Sequence, residues 1–210
     1  MKKKFFISVL MLFIFITTSY AQFNIVKNIT LGSDIYEVQS VLDQKKVNYG
    51  FFSAGGPLSG SYDYRNPEEI AELIVSRGSG LGEMLYKDSF QFMNDYASLK
   101  FETSIYFYDD ICSNIKMVWF LNYNPSLKDG YRASKQLREK ISNHFKSCSF
   151  GPAENVKGYE KYVMQVSETV TISIRADKET LYCEIEDSEI QKPYKALANQ
   201  VEALVKELRK

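Results

Sequence analysis

Histidine is nearly missing from this chain of 210 residues, where His144 is the only one. One imidazole excludes a multi-histidine metal site and a His-Glu-x-x-His hydrolase. A Ser-His-Asp or Cys-His system would have to use His144, and no nucleophile elbow accompanies it. Among its basic helix neighbours His144 reads as an ordinary surface side chain. An excess of either charge is also lacking, with 26 Lys and Arg against 26 Asp and Glu. Without a basic footprint the chain has no basis for nucleic-acid binding. Gly78-Ser79-Gly80-Leu81-Gly82 lacks the lysine of a P-loop and the spacing of a dinucleotide fingerprint, so it reads as a helix stop and connection. No cofactor and no metal are expected.

Long apolar runs are confined to the beginning. Lys2, Lys3 and Lys4 precede an apolar run from Phe5 to Ile16, and Ser19-Tyr20-Ala21 fits a small-x-small cleavage site. This is the pattern of a secretory signal peptide over 1–21, too short in its apolar part to span a bilayer. Nothing downstream reads as a transmembrane segment. The expectation is a bacterial protein exported to the periplasm or secreted, cleaved after Ala21 and mildly acidic once the three lysines are gone. Asn28-Ile29-Thr30 is formally a glycosylation sequon, without weight in a bacterial chain.

Three cysteines, Cys112, Cys148 and Cys183, are an odd set for an oxidising compartment. One pair at most can close within the chain. A Cys148–Cys183 disulfide is favoured, because each falls on the apolar stripe of its own element. The alternative, three reduced core residues, stands beside it.

Aromatics are plentiful, with 15 Tyr and 14 Phe. They concentrate in the stretch Ser98 to Tyr123, which alternates as two long strands around a turn at Asp109-Asp110. Leu99, Phe101, Thr103, Ile105 and Phe107 share a core face with Ile115, Met117 and Trp119. The opposite face begins polar at Lys100 and Glu102 but carries Tyr106, Tyr108, Val118 and Phe120. A half-solvated face should be more polar, so this one is covered by the rest of the chain or by a partner.

The remaining chain supplies helices and more strands. Phe23 to Leu31 reads as a first strand. Asp34 with Glu37 forms a capping box before a short helix striped by Val38, Val41 and Leu42. Tyr49 to Ser53 is strand-like and leads into a Gly-rich loop with Tyr62 and Tyr64. Asn66-Pro67-Glu68-Glu69 starts a helix that Gly78 ends. A longer helix spans about Tyr131 to Ser147. Strands follow at Tyr159 to Val166, Thr169 to Arg175 and Leu181 to Glu186, the last pair with clean alternation. Pro193 opens a final amphipathic helix striped by Leu197, Val201, Leu204 and Leu208, expected to dock on the sheet. The fold class is therefore α+β: two helix-plus-antiparallel-sheet (αβββ-like) units in tandem, over 22–126 and 127–210, with a C-terminal amphipathic helix.

Gly32-Ser33-Asp34-Ile35-Tyr36-Glu37-Val38, followed by Val41-Leu42, resembles the helix entry of the SmpA/OmlA-like outer-membrane small lipoproteins. The tandem layout resembles the beta-lactamase inhibitor proteins. Both resemblances imply an envelope or secreted protein that binds another protein through an aromatic-bearing sheet, with no catalytic site to carry over.

Residues and resemblance together point to a non-enzymatic, protein- or glycan-binding module of the cell envelope. Its candidate surface is Tyr106, Tyr108, Val118 and Phe120, joined by Tyr62 and Tyr64. One alternative is a small envelope hydrolase using a carboxylate pair from Asp109 and Asp110 or from Glu184, Glu186, Asp187 and Glu189. Another is a structural subunit self-associating as a homo-oligomer through the last helix. N-terminal sequencing of the protein exported from a bacterial host should read from Gln22; an intact Met1 on exported protein would sink the signal-peptide reading.

Overall fold

The computed structural model describes residues 24–53, 65–78, 88–123 and 129–210. The signal peptide at 1–21 and Tyr62 and Tyr64 lie outside the described residues. The chain is α+β, and the described residues form four α-helices and one eight-stranded antiparallel sheet. The strands are β1 (Tyr49–Ser53), β2 (Asp88–Tyr96), β3 (Leu99–Tyr108), β4 (Ile111–Phe120), β5 (Glu154–Val156), β6 (Tyr159–Gln165), β7 (Val170–Ala176) and β8 (Thr180–Asp187). The helices are α1 (Ile35–Gln44), α2 (Pro67–Arg77), α3 (Gly130–His144) and α4 (Lys192–Leu208). No helix among the described residues is long and apolar enough to cross a membrane.

The sheet order is β1-β2-β3-β4-β8-β7-β6-β5. Each half is a meander of sequential strands, and antiparallel pairing of β4 with β8 makes the two meanders one sheet. Strand alternation divides the side chains as expected. Phe101, Ile105, Phe107, Ile115, Met117 and Trp119 are fully buried on one face, together with Ile172, Ile174, Leu181 and Ile185. Helices α1 and α3 cover this inner face with Val38, Leu42, Ala133, Leu137 and Ile141. Each fully buried side chain of this size contributes roughly 1.5–3 kcal/mol, so the inner face is the main core.

The helix boundaries follow from capping chemistry. Asp34 accepts from the Glu37 N–H at 2.8 Å and Glu37 accepts from the Asp34 N–H, which completes the expected capping box. Asn66 caps α2, and Gly78 closes it at φ 68°, where glycine has no Cβ to clash. Asp129 caps α3. Three hairpins turn on two residues with positive φ: Ala97-Ser98, Asp109-Asp110 and Lys157-Gly158. Two consecutive left-handed residues match the twist of the flanking strands.

Three expectations change. The segment expected as a first strand is a single 3-10 turn, Asn24–Val26, and an irregular run. Ile25, Val26, Ile29 and Leu31 are all buried in it, at spacings a strand cannot point to one side. An extra short edge strand, β5, precedes the three expected in the second half. The final helix packs against α2 as well as reaching the sheet. Leu197 and Val201 meet Ile70, Ala71 and Ile74 in a second, smaller core, with Leu204 half-buried against it. Leu197, Val201 and Leu204 of the stripe are thus engaged within the chain, while Leu208 at its end is 50% exposed.

A β-bulge ties this helix pair to the sheet. Tyr106 pairs with Asn114 but Phe107 pairs with Cys112, so Ser113 is the extra residue. Its carbonyl accepts from Gln191 Nε2 at 2.6 Å, just before α4 begins. At the other end of the sheet, α3 starts against the β7–β8 turn. A Cβ on Gly130 would lie 2.3 Å from the Asp177 carbonyl oxygen and 2.6 Å from that of Thr180. Both are backbone atoms with little room to give. Gly130→Ala should therefore destabilise by about 1–3 kcal/mol, despite the better helix propensity of alanine. Equilibrium urea unfolding checks this, and an unchanged or higher midpoint would mean the turn yields freely.

Candidate functional site

The outer sheet face is where the sequence places the candidate surface. Here β4 and β8 lie side by side with Val118 opposite Tyr182, Lys116 opposite Glu184 and Phe120 opposite Thr180. Arg175 of β7 is the next neighbour of Tyr182, and Lys161 of β6 is the next neighbour of Arg175. Lys116 and Arg175 hold their charges 5.9 and 5.7 Å from the Tyr182 ring centroid, one from each flanking strand. Both lie within cation–π reach. Tyr159 meets the same ring edge-on at 6.1 Å. Glu184 accepts from Asn114 Nδ2 at 2.7 Å and sits 3.9 Å from Arg175. Every one of Lys116, Val118, Phe120, Tyr159, Arg175, Tyr182 and Glu184 is half-buried, with part of its surface open.

The structure divides the four expected hairpin residues. Val118 and Phe120 belong to the patch around Tyr182. Tyr106 is on the same face but pairs with Asn114, whereas Val118 pairs with Glu102. Four residues of strand, roughly 13 Å, separate those two positions along β3. Tyr108 lies farther out and is enclosed by the helix pair. Its ring meets Tyr194 of α4 edge-on at 6.0 Å, and it packs on the second core. Tyr108 therefore belongs to the docking of the helices on the sheet. What sequence reading missed is the contribution of Lys116, Tyr159, Arg175 and Tyr182. The alternation already placed Arg175 and Tyr182 on an outer face; only the β4–β8 pairing puts them beside Val118.

All the candidate carboxylates except Asp110 take structural roles. Asp109 pairs with Arg65, Glu186 with Lys195 at 3.5 Å and Glu189 with Lys192 at 3.7 Å. Asp187 accepts from Thr169 Oγ1 and from the Glu189 N–H, both at 2.9 Å. His144 is exposed and stacks edge-on against Phe145. Asp177 is pulled in two directions. Burial raises its pKa, but N–H donors from Thr180 and Glu179 and the Thr180 hydroxyl outweigh it and hold the carboxyl below its usual range. Burial pushes the Tyr96 hydroxyl up to about 12, with the nearby Cys183 adding to it.

The Cys148–Cys183 disulfide is not formed; all three cysteines are free. Cys183 is buried in the middle of β8 opposite Met117 and Ile174. Cys148, beyond α3, rests its thiol 3.7 Å from the Val166 carbonyl, just past the end of β6. β6 and β8 are two strand spacings apart, roughly 9–10 Å, beyond the span of about 7 Å that a disulfide bridges. Burial pushes the thiols of Cys112 and Cys183 far up, so both stay protonated and inert.

Comparison with family models, with curated proteins and with solved structures finds no match. The resemblance at Gly32 to Leu42 stands on those residues alone.

The division between Tyr108 and the Val118 patch gives a stability test. Tyr108→Ala should lower stability by about 2–3 kcal/mol, visible as a reduced urea midpoint, because it opens the joint between sheet and helix pair. Val118→Ala should cost under about 1.5 kcal/mol. Equal losses would mean that the two residues do the same job.

Proposed function

We propose that this chain is an exported, non-enzymatic binding module of the cell envelope that holds a protein partner on the outer face of its sheet. The observation that carries the reading is the patch around Tyr182. An aromatic ring between two cations, flanked by Val118 and Phe120 and by Glu184 and Lys161, offers large contact area beside charges of both signs. Tyrosine and arginine in such surroundings are the residue types that dominate protein interfaces. The mixture of charges favours a protein over a glycan, whose recognition would use the rings and leave most of the charges without a counterpart. The resemblance to small envelope lipoproteins and to the beta-lactamase inhibitor proteins supports the same reading. Engagement of Asp109, Glu184, Glu186, Asp187 and Glu189 by structural partners, which leaves only Asp110 of the two clusters, weighs against the hydrolase alternative.

A photo-cross-linking residue at Val118, with a control at Glu139 on the exposed side of α3, tests the proposal in living cells. One discrete polypeptide adduct from position 118, absent from position 139, is the expected result. Tyr182→Ala should then weaken capture by about tenfold or more while the urea midpoint stays near wild type. A polysaccharide adduct at 118 would replace the protein partner with a glycan. Equal labelling at 118 and 139 would remove the patch from consideration.

A further inference from the structure

A second concave feature lies away from the Tyr182 patch, where α1 passes the edge strand β1. It is a cleft of about 360 Å³ lined by Ile35, Tyr36, Gln39, Tyr49, Phe51, Asp88, Phe90 and Asp110, within the size range of small-molecule sites. Phe90 is its floor. Tyr49 meets that ring edge-on at 5.1 Å and Phe51 meets it tilted at 5.4 Å. The Tyr49 hydroxyl donates to Asp43 Oδ1 at 2.9 Å, which fixes the ring from the α1 side. Tyr36 stands at the rim, 77% exposed, and Phe51 is 53% exposed although its neighbour Phe90 is buried.

Two carboxylates enter this aromatic box. Asp88 is only 8% exposed. Among the described residues its carboxylate has neither a hydrogen bond nor an ion pair, and the same is true of the Asp110 side chain. Among the described residues no lysine or arginine lines the cleft. Neither carboxylate meets a cation in the cleft among the described residues, so a positive group that enters finds two countercharges already in place. Three N–H groups at the positive end of α1 are already taken. The Asp34 side chain and main-chain carbonyl and the Asp110 carbonyl already take the N–H groups of Glu37, Val38 and Ile35.

We propose that this cleft binds an organic ammonium ion. Ring faces attract a soft, poorly hydrated cation, and Asp88 and Asp110 provide the countercharge. A hard divalent metal is a poor fit, since it asks for six or more oxygen ligands and the walls here are mostly rings. A neutral apolar guest would leave Asp88 as unpaired as before, and an anion would meet two carboxylates.

Choline is the probe, titrated into the mature protein and followed by amide and side-chain chemical shifts in NMR. Saturable shifts at Tyr36, Phe51 and Asp88 with a millimolar Kd, on the order of one cation–π contact plus one ion pair, are expected. The neutral isostere 3,3-dimethylbutan-1-ol should bind about tenfold more weakly or not at all. Asp88→Asn should weaken choline by about tenfold and leave the urea midpoint near wild type, since the side chain gives up no partner among the described residues. Phe51→Ala, at a half-exposed edge position, should weaken it by about fivefold and serves if Asp88→Asn folds poorly. No shift at about 50 mM choline, equal affinity for the isostere, or unchanged affinity in both variants would each overturn the proposal. Competition by a trimethyllysine amide would assign the cation to a partner's side chain; failure to compete would assign it to a free small ion, and either result keeps the site.

Discussion

The pairing of β4 with β8 is the constraint on which the rest depends. Seven consecutive positions, from Asn114–Glu186 to Phe120–Thr180, join strands about 66 residues apart in sequence. Remove that ladder and each meander keeps its local hairpins but exposes a long central strand with open hydrogen-bonding groups. The core is equally shared. Trp119 faces Leu181 and Met117 faces Cys183 across the joint, so neither half buries its largest side chains alone. The patch on the opposite face exists for the same reason, because Val118 and Tyr182 are neighbours only through this register.

Much of the fold was legible because local chemistry and global packing agree. The capping box at Asp34 and Glu37, the Asn66-Pro67 start and the Gly78 stop are satisfied by atoms within one turn of helix, so sequence contains the whole cause. The alternation from Leu99 to Trp119 was legible because one face is buried without interruption. Other features have causes outside the segment that carries them. Phe23 to Leu31 looks like a strand by composition, yet Asn94 draws it into the core by donating to the Ile25 carbonyl at 3.1 Å. The Ala97-Ser98 turn has none of the usual Asn-Gly signature and is held in place by the strands on either side.

The candidate site was half legible for the same physical reason. Alternation assigns each side chain to a face, but it says nothing about which strand comes next. Tyr106, Tyr108, Val118 and Phe120 share a face as expected, while strand order and the helix pair decide that Tyr108 is structural and that Tyr182 is central. The acidic and aromatic cleft was invisible in sequence. Its residues come from α1, β1, β2 and the β3–β4 turn, and no local pattern joins Tyr36 to Asp88.

The bulge at Ser113 and its bond to Gln191 tie the middle of the chain to the entrance of its last helix. The bulged carbonyl exists once the β3–β4 hairpin has formed, but the group that takes it sits at the entrance to the last helix, and β8 just before it is the strand that closes the sheet. A polypeptide built this way has no finished core until nearly all of it is available. Such late closure would suit the proposed export, in which a polypeptide kept extended during transport commits to its native shape only on the far side.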